Sequence, residues 1–282
     1  MKNLKNKKRL NIDNVVLDNN QISLEMEKFA SDNIIMQKSS KETYPITTLE
    51  EDFEVIKETY KLLSKNVKQK ILIHPAGEWI LDNFYIIEET TKTIAKDLTV
   101  KKYTNFLGLA NGPYEGYARI YVLASKIVSY TDGKIDYDNL EKMLTAYQKK
   151  KTLNMDEIWN IGLFLQICLI QKIRQICESI YITQIQKSKA EIILSHIFNK
   201  QTKPDYKMTS ELRKKIKQNN QMKYAFIEYM SYKLKKYGRK ANSYLNALEE
   251  VVNRSGGEIS EIIKKEHFEV AVKKVSMGNC II

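Results

Sequence analysis

Three cysteines in 282 residues, Cys168, Cys177 and Cys280, are too few and too scattered for a disulfide framework, and none stands in a C-x-x-C or Cys/His pattern. That excludes a small disulfide-stapled fold and fits a reducing compartment. Only 4 Pro and 10 Gly interrupt the chain, so long stretches run without a helix breaker. The 3 histidines, His74, His196 and His267, are far apart with no i, i+4 partner, which argues against zinc and against a catalytic triad. The most apolar window, Ile161 to Ile170, is broken by Gln166, whereas a membrane span takes about 20 mostly apolar residues. Lys2, Lys5, Lys7, Lys8 and Arg9 have no apolar h-region behind them, so the N-terminus does not read as a secretory signal.

What is present is Leu, Ile, Lys, Glu and Gln at helical spacing, with 43% hydrophobic and 28% charged residues. The expectation is an all-α fold: a multi-helix bundle with irregular loops and a smaller C-terminal helical subdomain. Residues 1–46, rich in Asn, Lys and Ser, read as a loosely ordered arm. Residues 47–200 form the main bundle. Residues 205–282 form a basic helical subdomain whose apolar end, Val275 to Ile282, gives the impression of a chain cut short.

Within the bundle, Thr48-Leu49-Glu50-Glu51 reads as a capping box for a helix over 48–66, with Phe53, Ile56, Tyr60 and Leu63 on one face. Pro75 opens a second helix to Asp97. Gly108, Gly112 and Pro113 make 98–113 a loop, and a third helix is expected over 114–129. Asp136 or Asp138 caps a short helix to Gln148, and Asn154-Met155-Asp156-Glu157 boxes a long one to about Ile182. Further helices are expected from Ser210, over 221–236 and 240–252, and from Ser260.

Several groups invite chemistry. Glu78 and Asp82, four apart, share a helix face, but a glycosidic bond needs carboxyl groups on two sides of the sugar, so a buried structural network is the reading preferred. Asp136-Tyr137-Asp138 spells the D-x-D that holds a metal on a sugar nucleotide; here it opens a helix, where Asp serves as a cap. Gln171-Lys172-Ile173-Arg174 starts like an acceptor motif of processive synthases, with Gln175 in place of its Trp. The loop from Ala110 to Gly116 allows a left-handed turn before a helix N-terminus, yet no phosphate-loop Lys follows, so a structural turn is the simpler reading. Trp79 and Trp159 read as core members, although an exposed Trp could stack on a sugar. Net charge is +12, and residues 200–240 hold 13 Lys/Arg against 3 Asp/Glu, interleaved with Tyr206, Tyr224, Phe226, Tyr229, Tyr232 and Tyr237. Such a patch suits an anionic leaflet, nucleic acid or plain solvent.

The stretch His74-Pro75-Ala76-Gly77-Glu78-Trp79-Ile80-Leu81-Asp82-Asn83-Phe84-Tyr85, then Ala110-Asn111-Gly112-Pro113-Tyr114-Glu115-Gly116-Tyr117-Ala118-Arg119-Ile120-Tyr121, with Thr131-Asp132-Gly133, Ala146-Tyr147-Gln148 and Glu157-Ile158-Trp159, resembles the region before the membrane part of cyclic beta-1,2-glucan synthases. The resemblance extends over roughly 48–282. It departs where that pattern has Pro at Ala118, His at Tyr130, and Arg and Glu at Gln166 and Gln171. It implies a cytosolic helical module at the inner face of the membrane, ahead of a transferase that uses UDP-glucose and a divalent metal. For this chain alone it implies no cofactor, no metal and no catalysis, but a scaffold or regulator whose partners are the transferase and membrane domains. A basic nucleic-acid-binding protein and a small helical enzyme using Glu78 and Asp82 are the competing classes. The expected interior network is Glu78, Trp79, Asp82, Asn83, Asn111, Gly112, Tyr117, Arg119, Tyr121, Asp132, Tyr147, Gln148 and Trp159, with Arg119 paired to one of the carboxylates.

Overall fold

The structure, a computed structural model, describes residues 8–13, 15–198, 224–254 and 258–280. Among these the protein is all-α, its sole sheet two short strands. The helix expected from Ser210 and most of the basic window lie outside the described residues.

Helix α1 (Asn19–Asp32) rises from a capping box: Asp18 Oδ1 accepts the N–H groups of Asn20 and Gln21 at 2.9 Å, and Gln21 returns its amide oxygen to the Asp18 N–H at 3.2 Å. Its buried Ile22, Met26, Phe29 and Ala30 recur at helical spacing, so the segment expected to be a loose arm carries core residues. Polar Asn, Lys and Ser dominate the segment's composition, and the apolar positions that seat it, Leu10 and Ile12 as well as these four, are few and widely spaced.

Helix α2 (Ile46–Lys68) starts two residues before the expected cap. The Thr48 hydroxyl donates to the Pro45 carbonyl at 2.8 Å and does not cap the helix. Leu49, Asp52, Ile56, Thr59, Leu63 and Asn66 are buried, a stripe alternating in steps of three and four. Phe53 is instead half-buried and stacks on Phe84 with ring centroids 5.8 Å apart.

Helix α3 (Pro75–Asp97) has His74 as its N-cap: Nδ1 accepts the Ala76 N–H at 3.0 Å, with Pro75 at the first helical position. The stretch expected to be a loop contains helix α4 (Val100–Asn105), which Thr99 caps through the Lys102 N–H, and strand β2 (Gly108–Leu109), antiparallel to β1 (Ile35–Met36). Gly108 is required by close approach, since a Cβ there would sit 2.6 Å from Met36 Cε and 2.7 Å from the Lys38 carbonyl oxygen. Helix α5 (Arg119–Tyr130) begins five residues later than expected because Gly116, at φ +88°, turns the chain outside helical space.

Helix α6 (Tyr137–Gln148) starts at its Asp136 cap. Helix α7 (Met155–Phe198) runs 44 residues, well past Ile182, because no Gly or Pro lies between Gly162 and Pro204 and Ala190, Leu194 and Ile197 give its last turns a buried face. Helices α8 (Tyr224–Lys236), α9 (Asn242–Arg254) and α10 (Ile259–Asn279) complete the described chain.

The chain forms two compact units, each assembled from separated stretches and not from the consecutive blocks suggested by the sequence. One comprises Met1–Glu58, Asp82–Ile176 and Ser276–Ile282, the other Thr59–Leu81 and Cys177–Val275. The first is centred on Phe164, whose ring meets those of Phe106 at 5.3 Å, Tyr121 at 5.8 Å and Tyr103 at 6.4 Å. The second packs Leu194, Phe226, Met230, Leu234, Leu248 and Val251 together, with Phe198 stacked on Tyr237 at 3.8 Å and Asn66 donating to Gln184 at 3.0 Å.

The His74 cap is pH-sensitive. Burial, with Lys187 and Lys273 nearby, lowers its pKa to about 3, and the capping Nδ1 must stay unprotonated to accept a hydrogen bond. A depressed folded-state value means that this contribution is complete above about pH 6.5 and is lost as pH falls toward about 3. Wild type should lose stability relative to His74→Asn, a non-titrating cap, by up to about 1.4 kcal/mol per pH unit in that window. Parallel denaturation curves at pH 7 and 5 measure the difference; an unchanged difference would remove His74 as the cause.

Candidate functional site

The residues singled out by sequence do not form one network. Four of them, Tyr117, Arg119, Tyr121 and Tyr147, are buried in the first unit, where Arg119 forms an ion pair. Arg119 Nε donates to Glu157 Oε1 at 2.6 Å and its Nη2 to Glu157 Oε2 at 2.5 Å, with the two side chains 2% and 0% exposed. The same Nη2 donates to the Thr152 carbonyl at 2.8 Å. Arg119, expected to pair with a carboxylate among Glu78, Asp82 and Asp132, pairs instead with Glu157; Glu78 and Asp82 are exposed on α3 and Asp132 pairs with Lys172. The partner belongs to the capping box opening α7, in which Glu157 N–H donates to Asn154 Oδ1 and Asn154 N–H to Glu157 Oε2, each at 2.9 Å. One carboxylate thus serves a helix start and a buried guanidinium. The box was legible in the sequence, but nothing local shows that its Glu reaches Arg119, 38 positions away.

Burial disfavours the charged Arg119, yet the Glu157 carboxylate and the Tyr147 hydroxyl outweigh it and raise its pKa. Burial raises Tyr147 too, against the opposing pull of Arg119. Tyr121, wholly enclosed, is pushed well above the phenol range and accepts from Gln171 Nε2 at 2.7 Å. Arg119 thus spends Nε and Nη2 on Glu157 and the Thr152 carbonyl inside the fold, at 2% exposure, and does not present that edge to a phosphate or carboxylate in solvent.

The remaining candidates disperse. Asn111 clamps the turn before Gly112: its Oδ1 accepts the Ile34 N–H at 2.6 Å and its Nδ2 donates to the Asp32 carbonyl at 3.0 Å. Gly112 has φ +73°. Tyr103 completes this loop, its hydroxyl 2.9 Å from Thr43 Oγ1 and accepting the Ala118 N–H at 3.1 Å. Gln148 accepts from the Leu153 N–H at 3.4 Å. Asp132, at φ +51°, anchors a different cluster, with Lys172 Nζ at 2.7 Å and Ser276 Oγ donating at 2.7 Å. Lys172 is 3% exposed, so Asp132 neutralises a buried ammonium. Trp79 and Asn83 are half-buried, while Trp159, two positions after Glu157, is 73% exposed and no core member.

The metal reading of Asp136-Tyr137-Asp138 does not fit. Asp136 spends Oδ1 on the Asn139 N–H and Oδ2 on the Asn139 side-chain amide, both at 2.8 Å. Among the described residues no three His, Cys, Asp or Glu side chains are grouped to hold a metal ion. An open groove between α1 and α6 is lined by Ser23, Asp138, Glu141, Lys142, Thr145, Ala146 and Lys149, none of them in the expected network.

No protein-family model matches the chain. A cyclic beta-(1,2)-glucan synthase, NdvB of Rhizobium meliloti, is 21% identical over 233 residues, covering 82% of this chain and 8% of that protein. The chain is distantly related to that enzyme and matches a small part of its length. No helix among the described residues is long and apolar enough to cross a membrane.

Truncating Arg119 would leave Glu157 buried without its counter-charge. Arg119→Ala should destabilise by about 3 to 5 kcal/mol, whereas the apolar double replacement Arg119→Met with Glu157→Met should cost far less. Urea denaturation of the set checks this; equal losses in the single and double variants would mean that packing, not charge, sets the cost. Trp159→Ala should change stability by no more than about 0.5 kcal/mol in the same assay.

Proposed function

We propose that this chain is a non-catalytic scaffold or regulatory module of a cyclic beta-1,2-glucan synthase system, corresponding to the region ahead of the membrane part. The observation that supports it most is the use made of the motif residues. Arg119, Glu157, Tyr117, Tyr121 and Tyr147 belong to the stretches that carry the likeness, and all five side chains are buried, with Arg119 bonded to Glu157 and Tyr121 to Gln171. Motifs of this kind fix a shape, and a shape is what a docking module supplies to its partners. In this reading UDP-glucose and a divalent metal belong to the transferase portion of the system, and the partners are its transferase and membrane domains.

The basic stretch between 200 and 240 is assigned in this reading to the anionic cytosolic leaflet, where each Lys or Arg near the surface contributes about 1 kcal/mol. Its described part exposes Lys235, Lys236, Arg239 and Lys240. Purified chain should neither hydrolyse nor transfer from UDP-glucose, and turnover abolished by Asp136→Ala would overturn the scaffold assignment. The chain should co-sediment with vesicles containing anionic lipid at low salt, be released as the Debye length shortens toward about 8 Å, and ignore neutral vesicles. Sequence-specific DNA binding that survives physiological salt would instead favour a nucleic-acid role.

A further inference from the structure

Within the second unit, helix α10 is apolar on two faces. Its inner face places Ile262, with Ile259 beside it, in the core that also holds Phe226, Met230 and Leu248. Its outer face carries Phe268, Val272 and Val275, which are 72%, 47% and 61% exposed, with exposed Ala271 among them. Steps of four and three residues set these side chains in one stripe along successive turns. A helix that is apolar all round is ordinarily enclosed all round, whereas this one leaves its second stripe in water.

The groups bordering the stripe are basic. Lys264 and Lys265 precede Phe268 by one turn and Lys274 adjoins Val275, all three exposed, and among the described residues none of them is ion-paired. Glu269, the carboxylate next to Phe268 in the chain, is neutralised by Lys273 Nζ at 3.2 Å. Lys265 Nζ stands over the ring of Tyr224 on α8, 5.8 Å from its centroid, and Lys236 stands over Tyr232 at 4.5 Å. Both tyrosines are partly open to solvent, so aromatic rings and ammonium groups share this side of the unit.

We propose that the outer face of α10 is a lipid-contact surface, on which the helix lies along an anionic bilayer with Phe268, Val272 and Val275 at the boundary between headgroups and acyl chains and Lys264, Lys265 and Lys274 on the lipid phosphates. The proposal rests on the leaflet assignment above and extends it from the basic stretch to a defined element. Size and charge together select lipid as the occupant. Three side chains fall well short of the roughly 800 Å² per partner that a stable protein interface buries. An interfacial helix, by contrast, needs only a short apolar stripe and lysines whose stems reach along the surface to anionic headgroups. With Lys264, Lys265, Glu269, Lys273 and Lys274 along its length, α10 lies on the bilayer and does not pass through it.

The test uses the full chain with Val272→Cys carrying a fluorophore that brightens in apolar surroundings; the native Cys168, Cys177 and Cys280 are buried. At low salt, vesicles of phosphatidylcholine with phosphatidylglycerol should shift its emission to the blue and raise it, and vesicles of phosphatidylcholine alone should not. In the unlabelled chain, Phe268→Ser with Val275→Ser should weaken co-sedimentation with the anionic vesicles about tenfold or more. Lys264→Gln with Lys274→Gln should weaken it about fivefold per lysine. Circular dichroism should be unchanged in every variant, since all these side chains are exposed. Vesicle binding with no change at the label and no loss in the serine variant would overturn the assignment to α10 while leaving the leaflet assignment in place; a parent chain that ignores anionic vesicles would overturn both. Self-association in lipid-free solution that the serine variant abolishes would make the stripe a protein interface and would likewise overturn the proposal.

Discussion

The first unit is organised around a single buried ion pair. Arg119 opens α5 and Glu157 sits in the first turn of α7, so their bidentate contact fixes the start of one helix against the start of the other. Two charges removed from water hold only where geometry and further hydrogen bonds compensate for lost hydration. Here the Thr152 carbonyl, the Asn154 N–H and the Tyr147 hydroxyl supply them. Each partner depends on a local device: Arg119 on the Gly116 turn that delays α5, and Glu157 on the Asn154 box that starts α7.

The same arrangement recurs in weaker form. Asp132 neutralises buried Lys172, and Asp52 lies between Arg9 and Arg174. In all three a carboxylate beside a turn or early in a helix meets a cation from an element remote in sequence. They differ in completeness. Glu157 receives directed donors on both oxygens, whereas at Asp52 burial outweighs the pull of Arg9 and Arg174 and raises the carboxyl to about 6.

This arrangement bears on the likeness to a glucan synthase. The motif residues that resemble that family are chemically suggestive as a string, with carboxylates, an arginine, tyrosines and a glycine loop together. Once folded, Arg119, Tyr117, Tyr121 and Tyr147 turn inward, Asn111 clamps the chain just before β1 to its turn, and Glu78 and Asp82 remain on an exposed helix face. A motif can therefore mark a relationship through shape alone, with its polar residues spent on specifying the packing and not on substrate.

The sequence by itself determined helix type and most helix starts. Spacing of apolar residues and local caps such as Asp136, Asn154 and Pro75 act within one or two turns, and their energetics do not depend on the rest of the chain. The stretch with Gly108, Gly112 and Pro113 was legible as an interruption, but the short α4, the β1–β2 pairing and the extra delay at Gly116 were not, because strand pairing is settled by a partner over 70 residues away. Tertiary structure alone decided the pairings: Glu157 and not Glu78 for Arg119, Lys172 for Asp132, Arg9 and Arg174 for Asp52. Charge complementarity offers many partners at similar cost in water, and only the close packing that excludes water selects one among them.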